Sequence, residues 1–264
     1  MKGTLYGVGV GPGNPELMTL AAVRIIRESA VIACPGKDAR QSTAYRIAVQ
    51  AEPSLATKEL LAVDMPMTRD RAELTKSFRQ GALLLESFLK QGKDVAFLTL
   101  GDPAVYSTFA YLEERIAGLG YPTGYISGVP SFCAAAAEAG VPLTEWDEAL
   151  HIIPAGQMDE SELKETLRLP GTCALMKSGT RMDAVKSALA GSRRKVYMVE
   201  NCGMPGQKIY RGADSIPDTA GYFSMILAKE EKGSNQPSDD LSEGAEKRLS
   251  ESESILNPLD SRGK

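Results

Sequence analysis

The sequence of 264 residues predicts an α/β protein built as two α/β domains with a ligand cleft between them. Three observations predict it. Short apolar runs of strand length alternate with runs whose apolar residues recur at helical spacing, the pattern of α/β units. The run Val95–Leu100 (VAFLTL) is apolar on both faces and so belongs in the centre of a parallel sheet. The alternation pauses near Pro142–Glu148 and then resumes, which divides residues 1–145 from residues 146–229.

Taken in order, Leu5–Val10 is a strand that breaks at Gly11-Pro12-Gly13. Asn14 then caps a helix with Pro15 at its first position and Glu16 in its first turn. Its apolar set Leu17, Leu20, Ala21, Val23 and Ile26 is expected to face the sheet. Ala30–Cys34 is the next strand, stopped by Pro35-Gly36. Arg71–Lys90 is a helix with Leu74, Phe78, Ala82, Leu85 and Phe88/Leu89 on one stripe, ended by Gln91-Gly92. Gly101-Asp102-Pro103 follows the central strand at its carboxyl end. A helix over Tyr106–Ala117, a strand over Thr123–Ile126 and a helix over Ser131–Glu138 complete the first domain. In the second, strands are expected at Ala149–Ile153, Cys173–Met176, Lys195–Val199, Lys208–Arg211 and Tyr222–Ala228, with helices at Glu160–Leu167 and Arg181–Leu189. A ligand is expected between the two, by carboxyl ends of strands.

Composition narrows the chemistry. With 43% hydrophobic and 24% charged residues the chain can bury a core of useful size. The 30 Lys+Arg and 34 Asp+Glu give a net charge of −4. All of that excess lies in residues 230–264, which hold nine acidic and five basic residues, so residues 1–229 are neutral. The last segment has too few apolar residues to offset its ordering entropy and is expected to be a disordered acidic tail, with a short helix near Ala245–Leu256. Lack of a basic excess argues against a nucleic-acid partner. The single histidine, His151, excludes a zinc site built from several histidines and is expected to serve packing. Cys34, Cys133, Cys173 and Cys202 show no CxxC spacing, so they read as reduced thiols and no metal site is expected. No apolar stretch approaches the ~20 residues that span a bilayer, and MKGTLYGVGVGPG runs straight into a strand and a glycine loop, so no secretory leader is expected. A cytoplasmic protein without a membrane partner is the reading.

Three segments carry candidate chemistry. GVGVGPG after the first strand suggests a dinucleotide loop, but Pro12 stands where a backbone donor would approach a pyrophosphate, and Val31–Pro35 holds no acidic residue. A plain tight turn is the other reading. LTLGDP (Leu98–Pro103) lets a ligand reach backbone at a strand end and places a carboxylate there, although Gly-Asp-Pro is also an ordinary turn. GVPSFCAAAA (Gly128–Ala137) leads a tight turn into a helix whose small residues allow close packing.

In their order and spacing, YGVGVGPGNPELMTL, LGDPAVYSTF and GVPSFCAAAA resemble the tetrapyrrole methyltransferase family. ALMKSG (Ala174–Gly179) and VENCGMPGQKIY (Val199–Tyr210) resemble its branch that methylates C20 of precorrin-2 or cobalt-factor II in cobalamin biosynthesis. The resemblance covers about residues 3–229. It implies a cleft that takes S-adenosylmethionine, released as S-adenosylhomocysteine, a small-molecule tetrapyrrole substrate, and a homodimer. Pro12 would line the cleft; Leu100, Gly101 and Asp102 would contact the cofactor with Val105 beside them. Ser131 and Phe132 would bound the adenosine, and Met176 with Gly212-Ala213 would close over the adenine. Asp102 and Lys177, with Tyr222 as a third, would face the tetrapyrrole and handle the proton that leaves C20. Arginines, among them Arg40, Arg46, Arg69 and Arg181, are available for its carboxylates. A methyl donor already activated by its positive charge needs neither metal nor covalent nucleophile, which suits a chain with one histidine. A relative acting at another ring position, such as on uroporphyrinogen III, or a tetrapyrrole-binding module without activity are the alternatives.

Overall fold

Val95–Thr99 (β4) is buried along its whole length and pairs in parallel on both sides, with Leu5–Gly9 (β1) and Val31–Pro35 (β2). The computed structural model describes residues 1–66, 68 and 70–231. Arg69, the tail and the helix expected at Ala245–Leu256 lie outside the described residues. Adding Glu59–Val63 (β3) and Thr123–Ile126 (β5) gives a fully parallel sheet in the order β3-β2-β4-β1-β5. Side chains alternate across β4: Ala96 and Leu98 join Val8, Ile32 and Ile26 on one face, while Val95 and Phe97 meet Leu85, Phe109 and Leu112 on the other. Leu20–Glu28 (α1) and Thr43–Ala51 (α2) cover the first face; Arg71–Leu89 (α3) and Phe109–Gly118 (α4) cover the second.

The second sheet is mixed, in the order β6-β7-β10-β8-β9, from Leu150–Pro154 (β6), Thr172–Met176 (β7), Arg194–Glu200 (β8), Lys208–Arg211 (β9) and Ser224–Glu230 (β10). Only β6 and β7 run parallel; every other pair is antiparallel. One face is covered by Ser131–Ala139 (α5), whose Phe132, Ala134, Ala135 and Ala136 meet Ala174, Val199 and Leu227. Glu160–Thr166 (α6) and Met182–Ala190 (α7) bury Leu163, Val185 and Leu189 on the other. The helix expected at Ser131–Glu138 therefore forms where the sequence places it but packs on the second sheet. Its alanines let it lie close against those strands.

Two further differences have local causes. The helix expected from Asn14 is two elements: a short 3-10 turn, Pro15–Leu17, capped by Asn14, then α1, capped afresh by Thr19. Thr19 is extended (φ −71°, ψ 148°), and its hydroxyl accepts from Ala22 N at 3.1 Å and donates to Ser127 O at 3.0 Å. That break resets the helical phase, so Ala22, Ile25 and Ile26 face the core and Leu20 is 89% exposed. Sequence pattern also passes over α2 and β3, whose apolar runs are short and fall between loops. The connection into the second sheet is pinned by buried Lys229 on β10, which donates to Pro142 O (2.7 Å) and Leu143 O (3.1 Å) and lies 3.6 Å from the Glu148 carboxylate.

Candidate functional site

At the carboxyl ends of β1 and β4 three loops meet backbone to backbone. Gly11 (φ +73°) and Gly101 (φ +66°) occupy the left-handed region and exchange hydrogen bonds, Gly101 N to Gly11 O at 2.8 Å and Gly11 N to Gly101 O at 3.3 Å. A Cβ on Gly128 would stand 2.2 Å from Gly101 O, so no side chain fits between these loops. Asp102 ties them together: its Oδ1 accepts from Ala104 N at 2.8 Å and its Oδ2 from Gly128 N at 3.1 Å. The carboxylate thus spends both oxygens on its own lobe.

Above these loops lies a cavity of roughly 670 Å³ with walls from both sheets, within the range of small-molecule sites. The loops after β1 and β4 contribute Pro12, Leu100, Gly101, Asp102 and Val105, and the start of α5 contributes Ser131. The second sheet and its loops contribute Met176, Lys177 and Tyr222, so nine of the residues singled out in the sequence converge. Phe132 does not line it; the ring is buried between α5 and the second sheet. Gly212 and Ala213 also lie outside the lining, at a turn after β9 where Ala213 packs against the core beneath α6 and α7. On the second sheet's side, Cys202 and Met204 from the loop after β8 line the cavity. That loop stands out in the sequence as a motif, but nothing there gives these two residues a role. Ser42 and Thr43 at the start of α2, Met65 and Tyr106 also line the cavity without having been singled out.

Tyr106 and Lys177 meet across the cavity, one from each sheet. Both are non-glycine residues with positive φ, 47° and 58°, a strain that persists only where surrounding contacts impose it. The Tyr106 hydroxyl donates to Ile152 O on β6 at 3.1 Å, and the Lys177 ammonium stands 5.7 Å from the Tyr106 ring centroid. Lys177 forms no ion pair with any described residue, and burial pushes its pKa down from the ordinary lysine value. Tyr222 belongs to the loop before β10 rather than to the strand, and burial raises its phenol. His151 stands outside the cavity, with Nε2 2.8 Å from Pro170 O. Such a site offers an apolar chamber with backbone-lined loops, one desolvated amine and two phenols, of which that of Tyr106 is bonded to Ile152 O.

The family model for tetrapyrrole (corrin/porphyrin) methylases matches residues 4–214. The chain is 31% identical to a precorrin-2 C(20)-methyltransferase from Sinorhizobium sp over 234 residues, 85% of this chain and 94% of that one. It is 30% identical to the cobalt-precorrin-2 C(20)-methyltransferase of Salmonella typhimurium over 236 residues, 88% and 98% of the two chains. A precorrin-4 C(11)-methyltransferase from Rhodococcus erythropolis is 36% identical over 143 residues, covering 53% of this chain and 50% of its own. Among solved structures, uroporphyrin-III C-methyl transferase from Thermus thermophilus complexed with S-adenyl homocysteine shares the fold, with a TM-score of 0.63 at 23% identity over 86% of this chain and 98% of that one.

Proposed function

The chain belongs to the tetrapyrrole (corrin/porphyrin) methylases, and we propose that it methylates C20 of precorrin-2, or of its cobalt-bound form, with S-adenosylmethionine as donor, in cobalamin biosynthesis. One observation carries the choice of ring position: the similarity to the two C20 enzymes runs over 85% and 88% of the chain, through both sheets, whereas that to the C11 enzyme covers 53%. The cofactor reading is supported by the S-adenyl homocysteine complex of the Thermus protein and by the cavity itself. A Cβ built on Gly101 would meet nothing closer than 3.9 Å, so the backbone there opens onto space that a ligand can fill.

Pro12, Leu100, Gly101, Asp102, Val105, Ser131 and Met176 would hold the cofactor. When bound, it supplies a methyl carbon made electrophilic by the adjacent sulfonium. The chain's own task is alignment and proton removal. Asp102 keeps the two loops at fixed separation through Ala104 N and Gly128 N. Lys177 Nζ, whose lowered pKa increases its neutral fraction, accepts the proton that leaves C20. Tyr222, a phenol whose pKa burial pushes up from its ordinary value, donates a hydrogen bond to the tetrapyrrole. Phe132 shapes the chamber from behind through α5, while Gly212 and Ala213 support its second-sheet wall. Residues 1–145 and 146–229 form two domains, with α5 of the first reaching onto the second sheet, and the enzyme acts as a cytoplasmic homodimer. No helix among the described residues is long and apolar enough to cross a membrane.

Incubation with precorrin-2 or cobalt-factor II and methyl-labelled S-adenosylmethionine is the test. Label at C20 is expected; label at another ring carbon overturns the assignment.

A further inference from the structure

Cys202 and Met204 line the cavity from a loop without regular structure, so the position of this wall depends on what anchors the loop. Residues 201–207 pass through the left-handed region at Asn201 (φ 51°), Gly203 (φ 69°) and Gly206 (φ 80°). Within the loop, Met204 N donates to Asn201 O at 2.8 Å and Asn201 Nδ2 to Gly206 O at 3.3 Å. The loop then presses on the glycine loop after β1. A Cβ on Gly13 would lie 2.2 Å from Cys202 O, and one on Gly203 2.6 Å from Asn14 N. Among the described residues no hydrogen bond joins these two loops directly; they touch by shape alone.

Gln207 anchors the loop instead to α5, the helix that leaves the Gly128 loop and packs on the second sheet. Its Oε1 accepts from Gly203 N at 2.6 Å, and its Nε2 donates to the Glu138 carboxylate at 2.7 Å, across 69 positions of sequence to α5. The two partners dictate how the amide is turned, because an N–H needs an acceptor and a carboxylate needs a donor. Glutamine meets both demands; glutamate would set two carboxylates against each other, and leucine would meet neither. Nearby, Arg211 donates to Ala139 O at 2.8 Å, which fixes β9 to the end of the same helix.

We propose that Gln207 is a positioning residue: by bridging Gly203 N and the Glu138 carboxylate it holds the Cys202–Met204 wall at the separation from Pro12 that the cofactor requires. This rests on the reading of the cavity as an S-adenosylmethionine site. The test is a charge swap, read by calorimetric titration with S-adenosylhomocysteine. Gln207→Glu alone is expected to weaken binding about five- to ten-fold. Adding Glu138→Gln restores it to within about two-fold of wild type, because the carboxylate introduced on the loop then accepts from both Gly203 N and the amide introduced on α5. Thermal unfolding of the ligand-free variants should stay within about 3 °C of wild type, which a general structural defect would not allow. Unchanged affinity in Gln207→Glu, or no recovery in the swap, overturns the proposal. Wild-type protein that fails to bind S-adenosylhomocysteine overturns the functional reading instead. The bridge itself is then read without ligand: amide exchange at Gly203 should accelerate in Gln207→Leu, and unchanged protection refutes it.

Discussion

Gly128→Ala would press a methyl group into the junction that shapes the cavity. The added Cβ would stand 2.2 Å from Gly101 O and 2.8 Å from the carbonyl carbon of Gly9, both backbone atoms, more than roughly 1 Å short of van der Waals contact at the closer of the two. Neither neighbour can rotate away, so the loops must part. Overpacking of this kind costs about 1–3 kcal/mol. Parting the loops also strains the 2.8 Å bond from Gly101 N to Gly11 O and the charge-assisted bond from Gly128 N to Asp102, which contribute about 1 and about 2 kcal/mol. Full loss of both bonds would bring the total to about 4–6 kcal/mol, which lowers Tm by about 10–20 °C in a protein of this size. Gly101, displaced by the same movement, lines the cavity, so affinity for S-adenosylhomocysteine should fall at least about ten-fold. Thermal unfolding and calorimetric titration measure the two effects. Gly118→Ala, at the end of α4 with nothing within 4 Å of the added methyl, is the matched control and should be neutral or stabilising by up to about 1 kcal/mol. A Gly128→Ala protein that melts within about 2 °C of wild type and binds normally would refute the backbone-contact argument.

Other predictions test the rest of the molecule. Lys177→Met should lower kcat by about 10²–10³ while leaving affinity for S-adenosylhomocysteine within about three-fold; a preserved kcat removes Lys177 from the chemistry. Because burial lowers the Lys177 pKa from 10.5, wild-type kcat should rise with pH as the amine loses its proton and level off below pH 10.5, and Lys177→Met should lose that rise. Lys229→Met leaves the largely buried Glu148 carboxylate and the Pro142 and Leu143 carbonyls without their cation, at a cost of about 3–5 kcal/mol. Urea unfolding reads it, and Glu148→Gln in the same chain should recover part of the loss. Thr19→Ala removes the cap of α1 and the bond to Ser127 O, which should cost about 1–2 kcal/mol by the same assay; no change would mean that water replaces both bonds.

Much of the fold is legible in the chain because its signals are local. The stripe of α3 and the doubly apolar β4 each follow from side-chain periodicity over a few turns or a few residues. The loops that cradle the cavity are legible for a similar reason, since Gly11 and Gly101 need left-handed backbone that glycine adopts most readily. Nine of the singled-out residues line the cavity because most of them sit in loops at strand ends of both sheets, where open α/β folds place their ligands. Thr19 shows where local reading fails: helical spacing continues through it, yet Met18 and Thr19 are extended there and the Thr19 hydroxyl bonds Ser127, 108 positions away.

By itself the sequence determined the α/β class, the glycine loops and the family, all of which depend on neighbours along the chain. Only the tertiary structure decided which sheet α5 covers, that Asp102 clamps its own loops, that Phe132, Gly212 and Ala213 stand off the cavity, and that Tyr106, Cys202 and Met204 complete it. The physical reason is range. Periodicity and backbone preference act over a few residues, whereas the contacts that build the site, such as Gln207 to Glu138 or Tyr106 to Ile152, join positions 69 and 46 residues apart and exist only once both sheets are in place.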